Sequence, residues 1–168
     1  VLFSGIKTES TYVRPPYHGL RHPMMFYYGH PAVVYFNKMR LAGIFKEPIN
    51  LYLEKVLETG VDEMSWDDMS KNEMAWPKLI EVHAYRKKVY EEVTNFIKTT
   101  PLLDENNKER NLLHGSPLWG LWMGFEHENI HIETSSVLIR ELPVELVERP
   151  KYFPPIHPTS SDNQKLSN

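Results

Sequence analysis

The chain has 168 residues, 41% of them hydrophobic and 24% charged, a formal net charge of -3 and no cysteine. That is enough for one domain with its own core and an ordinary soluble composition. It has no basic run to suggest nucleic acid as a partner and no apolar run that approaches a membrane span. With no thiolate available, any metal must be held by nitrogen and oxygen. The expectation is a cytoplasmic protein with neither nucleic-acid nor membrane partners.

Val1-Leu2-Phe3 followed by Ser4-Gly5 reads as the tail of a helix begun upstream. Residues 7–21, with Pro15, Pro16 and Gly19, read as a loop. Pro23 suits the first position of a helix that runs to about Gly43. Met24, Phe26, Tyr27, Tyr28, Val33, Val34, Tyr35, Met39 and Leu41 make that helix apolar on most sides, so it should be buried. Inside it lies Gly29-His30-Pro31. Pro31 removes a backbone donor and biases His30 away from helical geometry, which predicts a kink there. A histidine at a kink in a buried helix is either a metal ligand or a hydrogen-bonded core residue; local sequence favours the second.

Glu47 to Thr59 reads as a shorter helix with Ile49, Tyr52, Val56 and Leu57 inward. The segment 60–69 packs four carboxylates into seven residues between Met and Trp. Ser65 and Asp68 have capping-box-like spacing, and acids suit a helix N-terminus, so capping is preferred to a cation site. Pro77 to Ile97 is amphipathic, with Leu79, Val82, Tyr85, Val89, Val93 and Phe96 at helical spacing. His83 sits beside that stripe as a boundary residue. Residues 99–115 are a polar loop. From Pro143 the chain turns proline-rich and then polar, so residues 151–168, His157 included, read as a linker or disordered tail.

Between these lies the helix Trp119 to Leu142, with Ser116 as its cap, Pro117 in its first position and Pro143 beyond its end. His127 and His131 are four residues apart, so they stack on one face and can reach one ion. Advancing about 100° per residue, Gly120, Gly124 and Leu138 fall near the same direction. The glycines admit a neighbouring helix and the histidines face it. Glu126, Asn129, Glu133 and Arg140 fall on the far side. Glu133 therefore points away from any metal that His127 and His131 hold, and reads as a surface carboxylate. The class is all-α, an up-and-down bundle.

Three blocks taken together and in order carry a resemblance: Arg21–His30 (RHPMMFYYGH), Gly60–Asp68 (GVDEMSWDD) and Met123–Arg140 (MGFEHENIHIETSSVLIR). They resemble the N-terminal DinB-like domain of the non-haem iron sulfoxide synthases, the ovothiol-pathway branch above the ergothioneine-pathway one, over residues 12 to 150. The resemblance implies a DinB-like four-helix bundle over residues 1–150, with its first helix truncated. It implies an iron(II) site built from His30, His127 and His131, and it assigns no catalytic residue to this stretch. It further implies an oxygen-dependent oxidoreductase that joins cysteine sulfur to the imidazole of histidine, with cysteine, histidine and dioxygen as substrates. A downstream domain of the same parent chain would complete the pocket. On that reading the present stretch is a fragment, inactive alone. Pro31 departs from the expected pattern, since a non-proline residue is expected after the first histidine. The same histidines would also suit a stand-alone DinB-like zinc or nickel thiol transferase or hydrolase, or a metal-free structural module.

Overall fold

The computed structural model describes residues 1–19, 21–58, 75–101, 103, 106, 108 and 115–155. The described residues are all-helical, with no strand. A 3-10 turn at Leu2–Gly5 precedes α1 (Glu9–Tyr12), α2 (Met24–Leu41), α3 (Leu51–Val56), α4 (Leu79–Thr99) and α5 (Trp119–Arg140), and a second 3-10 turn spans Val144–Leu146. None of these helices is long and apolar enough to cross a membrane. The acidic block at 60–69, most of the 99–115 loop and the tail beyond residue 155, with His157, lie outside the described residues.

The centre of the molecule is α2. Its sequence is apolar on nearly every side, and Met25, Phe26, Val33 and Met39 are each 1% exposed or less. Helices α4 and α5 both pack on it, and α1 and α3 touch it too. α4 contributes Val82, Tyr85, Val89 and Val93, buried at helical spacing, while its charged face remains in water. α2 runs unbroken through Pro31, so the expected kink does not carry His30 out of the helix. The proline removes one backbone hydrogen bond, and the Arg86 guanidinium from α4 takes the neighbouring carbonyl of Tyr28. Burial on all sides supplies what the lost bond does not.

Three further sequence readings are corrected. Within the 7–21 loop, Glu9–Tyr12 forms a helical turn; it buries Thr11 and Tyr12 and so gains tertiary support that composition does not reveal. The short helix begins at Leu51, not Glu47, because Asn50 is its cap: the Asn50 side chain accepts from the Leu53 N–H at 3.1 Å. Its phase shifts with its start. Tyr52 is exposed, Leu53 and Glu54 are buried in its place, and Leu57 is buried as expected. α5 begins at Trp119 with Leu118 in the capping position and no side-chain cap, so Ser116 is not its cap; the Ser116 hydroxyl accepts from the Leu118 N–H at 3.2 Å in the turn before the helix. After α5 the chain returns to its own start. Ile6 pairs with Val147 as an isolated antiparallel bridge, and the Glu148 N–H donates to the Gly5 carbonyl at 2.8 Å.

Helices α2 and α5 meet at glycine. A Cβ on Gly120 would lie 2.8 Å from the carbonyl oxygen of Lys38, and one on Gly124 would overlap the ring of Tyr35. Gly124→Ala should therefore push α5 off α2 and destabilise the protein by about 1–3 kcal/mol, the usual cost of overpacking. Urea unfolding of the variant beside the wild type checks it; equal midpoints would show that the two helices do not depend on this contact.

Candidate metal centre

Three histidines from two helices converge. His30 comes from the buried face of α2, and His127 and His131 come from successive turns of α5, continuing the stripe begun by Gly120 and Gly124. The glycines draw the backbones together, and the histidines fill the space where the stripe widens. His30 Nε2 lies 3.2 Å from His127 Nε2, and His131 Nε2 lies 3.1 Å from the same atom. The three form the one group of potential ligands found among the described residues, and they could hold a metal ion. Glu133 is exposed and not a member. His83 is also elsewhere, with its Nδ1 2.8 Å from the Tyr28 hydroxyl.

The orientation of His30 is fixed on three sides. Its Nδ1–H donates to the carbonyl of Leu57 at 2.6 Å, which leaves Nε2 as the lone-pair nitrogen. The ring of Phe26 stacks on it at 4.5 Å between centroids and 22° between planes. His22 packs behind Phe26 at 4.4 Å. On the third side are the two imidazoles of α5.

The arrangement fits a cation. With bonds of about 2.1 Å, nitrogens 3.1–3.2 Å apart subtend roughly 95–100° at a common ion, between octahedral and tetrahedral values. Without a cation the cluster is frustrated. His127 Nε2 carries at most one proton, so only one of its two contacts can be a hydrogen bond; the other sets like groups against each other. Burial lowers the basicity of all three. His30 is pushed from 6.5 to about 3, first by burial and then by the neighbouring imidazoles, against the opposing pull of the Leu57 carbonyl. His131 is pushed to about 4 by burial and by His127. His127 is lowered by burial and by Lys38. All three are therefore neutral near pH 7, the form that ligates. The buried Nδ1 atoms of His127 and His131 have no hydrogen-bond partner among the described residues.

Sequence reasoning missed two residues here. Leu57 contributes through its backbone carbonyl, for which no sequence signal exists. Glu128 had a signal: residues 127–131 spell H-E-x-x-H, the helical pattern in which the glutamate of zinc peptidases serves as general base. The structure turns that carboxylate elsewhere. Glu128 lies beside Tyr35, whose phenol is held protonated first by burial and then by Glu128. The pair lines a groove between α4 and α5 with Ala32, Val89, Val93 and Phe125. Glu128 is not among the converging groups.

Fold and site together define an all-helical protein with a candidate three-histidine metal centre. No family model matches the chain, and no curated protein matches it.

The pH dependence of the metal-free protein follows from the lowered histidines. Below about pH 6.5 the unfolded chain binds protons that the folded one refuses, so stability present above that pH drains away as pH falls towards 3. Thermal unfolding between pH 7.5 and 4 should show this fall, and replacing His127 and His131 by asparagine should flatten it. A wild-type melting temperature independent of pH over that range would contradict the buried neutral cluster.

Proposed function

We propose that the chain is the iron(II)-binding domain, a DinB-like four-helix bundle when complete, of an oxygen-dependent sulfoxide synthase. The parent enzyme, of the 5-histidylcysteine sulfoxide synthase type and cytoplasmic, joins the sulfur of cysteine to the imidazole of histidine. One observation carries the reading: the nitrogens of His30, His127 and His131 converge, and no carboxylate of the described residues joins them. The three sequence blocks at 21–30, 60–68 and 123–140 support it, because two of them hold these histidines.

Each residue has a task that its own chemistry explains. Three neutral imidazoles bring no negative charge, so the full charge of a divalent ion stays available to an anionic ligand such as a thiolate. A thiol bound there would lose its proton readily and be held in place. Iron, when bound, would supply the redox chemistry that uses dioxygen to couple sulfur to the imidazole carbon as a sulfoxide. Leu57 keeps His30 in the tautomer that presents Nε2. Phe26, 1% exposed, closes the back of the site against water. A downstream domain of the same parent chain would cover the open side and complete the substrate pocket, so the bundle alone should turn over little. The zinc-hydrolase alternative needs a carboxylate beside the metal, and Glu128 lies beside Tyr35 and outside the converging group.

Anaerobic iron(II) titration followed by nitric oxide and EPR is the direct test. A stoichiometric high-spin iron–nitrosyl signal is expected, lost in a variant with His127→Ala and His131→Ala. Joined to its downstream domain, the protein should then consume dioxygen with cysteine and histidine and yield the thioether sulfoxide. Oxygen-independent thiol transfer or hydrolysis by the bundle alone, supported by zinc, would replace this reading.

A further inference from the structure

The short helix α3 is built around a buried acid. Glu54 is 2% exposed, yet its carboxylate is fully engaged. One oxygen accepts from the Ile49 N–H at 2.8 Å and the Asn50 N–H at 3.1 Å, at the N-terminus of its own helix. The other pairs with Arg40 of α2 at 3.1 Å. The buried phenol of Tyr85, from α4, feels the charge of the same carboxylate, but its oxygen has no hydrogen-bond partner among the described residues. A six-residue helix is far below the length that is stable alone. Glu54 thus ties α3 to α2 and back onto its own first turn.

One turn on, α3 ends at Leu57, whose carbonyl is the 2.6 Å acceptor for His30 Nδ1–H. A carbonyl at the C-terminal end of a helix is unpaired within it and carries partial negative charge, so it is a strong acceptor. Leu57 is also pressed onto α2: a Cβ on Gly29, the residue before His30, would stand 2.5 Å from Leu57 Cδ1. The glycine opens the space, and Glu54 holds the helix that fills it.

We propose that Glu54 is a positioning residue for the metal centre. By locking α3 against Arg40 and onto its own first turn it places the Leu57 carbonyl, and the carbonyl fixes the tautomer and ring direction of His30. The role in ligation rests on the metal-centre reading above; the role in orienting His30 does not. Partners of this kind typically change metal affinity by about 10–100-fold when lost.

The test uses the full chain, with histidine-side-chain nitrogen NMR on the metal-free protein and cobalt(II) titration as a probe of the site. Measurements are made at a temperature where each variant is folded. In the wild type, His30 should be a single Nδ1–H tautomer. Glu54→Gln should mix the His30 tautomers, weaken cobalt(II) binding about tenfold and alter its visible spectrum. Arg40→Met, which removes the ion pair and leaves the two backbone N–H bonds to Glu54, should shift both readouts in the same direction. Glu58→Gln, on the exposed side, should move neither. If Glu54→Gln and Arg40→Met lower the melting temperature but leave the His30 tautomer and cobalt(II) affinity at wild-type values, Glu54 only stabilises the fold and the proposal falls. Failure of wild type to bind cobalt(II) would instead sink the metal centre, and the metal-free tautomer comparison would still decide whether Glu54 orients His30.

Discussion

Three imidazole nitrogens meeting around His127 can make one hydrogen bond between them, and the geometry calls for two. The rest of the structure is arranged to keep them together despite this. Burial makes each ring neutral, and neutral rings do not repel as cations would. What remains is a set of lone pairs facing inward with too few protons. A divalent ion resolves that conflict completely, since it accepts all the lone pairs and needs no proton. Packing alone would favour the rings turning apart, and the Leu57 carbonyl and Phe26 prevent His30 from doing so.

The convergence depends on how closely α5 approaches α2. Histidine reaches only a few ångströms from its backbone, so nitrogens from two helices can come within 3.2 Å only where the helices nearly touch. Gly120 and Gly124 set that approach before the histidines begin, and Leu138 resumes ordinary packing after them. The same approach explains why α2 tolerates Pro31. A helix enclosed by α3, α4 and α5 gains several buried side chains, each worth about 1.5–3 kcal/mol, against a cost of about 3 kcal/mol for an interior proline. The proline therefore leaves His30 in place.

Much of this was legible in the sequence because it follows from period. The apolar α2, the stripe of α4 and the shared face of Gly120, Gly124, His127 and His131 all follow from about 100° per residue. Position 30 was less legible. Proline rules predict a kink, and tertiary burial overrides them, so local chemistry alone favoured a core histidine. The short helix was misread by its start. Asn50 is an ordinary capping residue, but Pro48 gave an earlier and equally ordinary signal. Starting there rotates the inward face onto Tyr52 and away from Glu54. A buried glutamate is in any case what a hydrophobic pattern discards, because its place inside depends on an ion pair with Arg40 that sequence distance conceals.

What the sequence could not express is that one backbone carbonyl connects the two buried polar systems. The Glu54 cluster and the histidine cluster share no side chain. They meet at Leu57, whose side chain packs against Gly29 while its carbonyl holds His30. Leaving Glu54 without Arg40 would strand a buried charge, a change of about 3–5 kcal/mol in comparable pairs. Such a pair is poor evidence for stability, since an apolar replacement of equal volume often serves as well. Its value here is geometric. A charged, multiply bonded anchor allows α3 one position, and an apolar one would allow several. The tolerance of a metal ligand is a fraction of an ångström, so a helix of six residues can serve His30 only if something other than its own length makes it rigid.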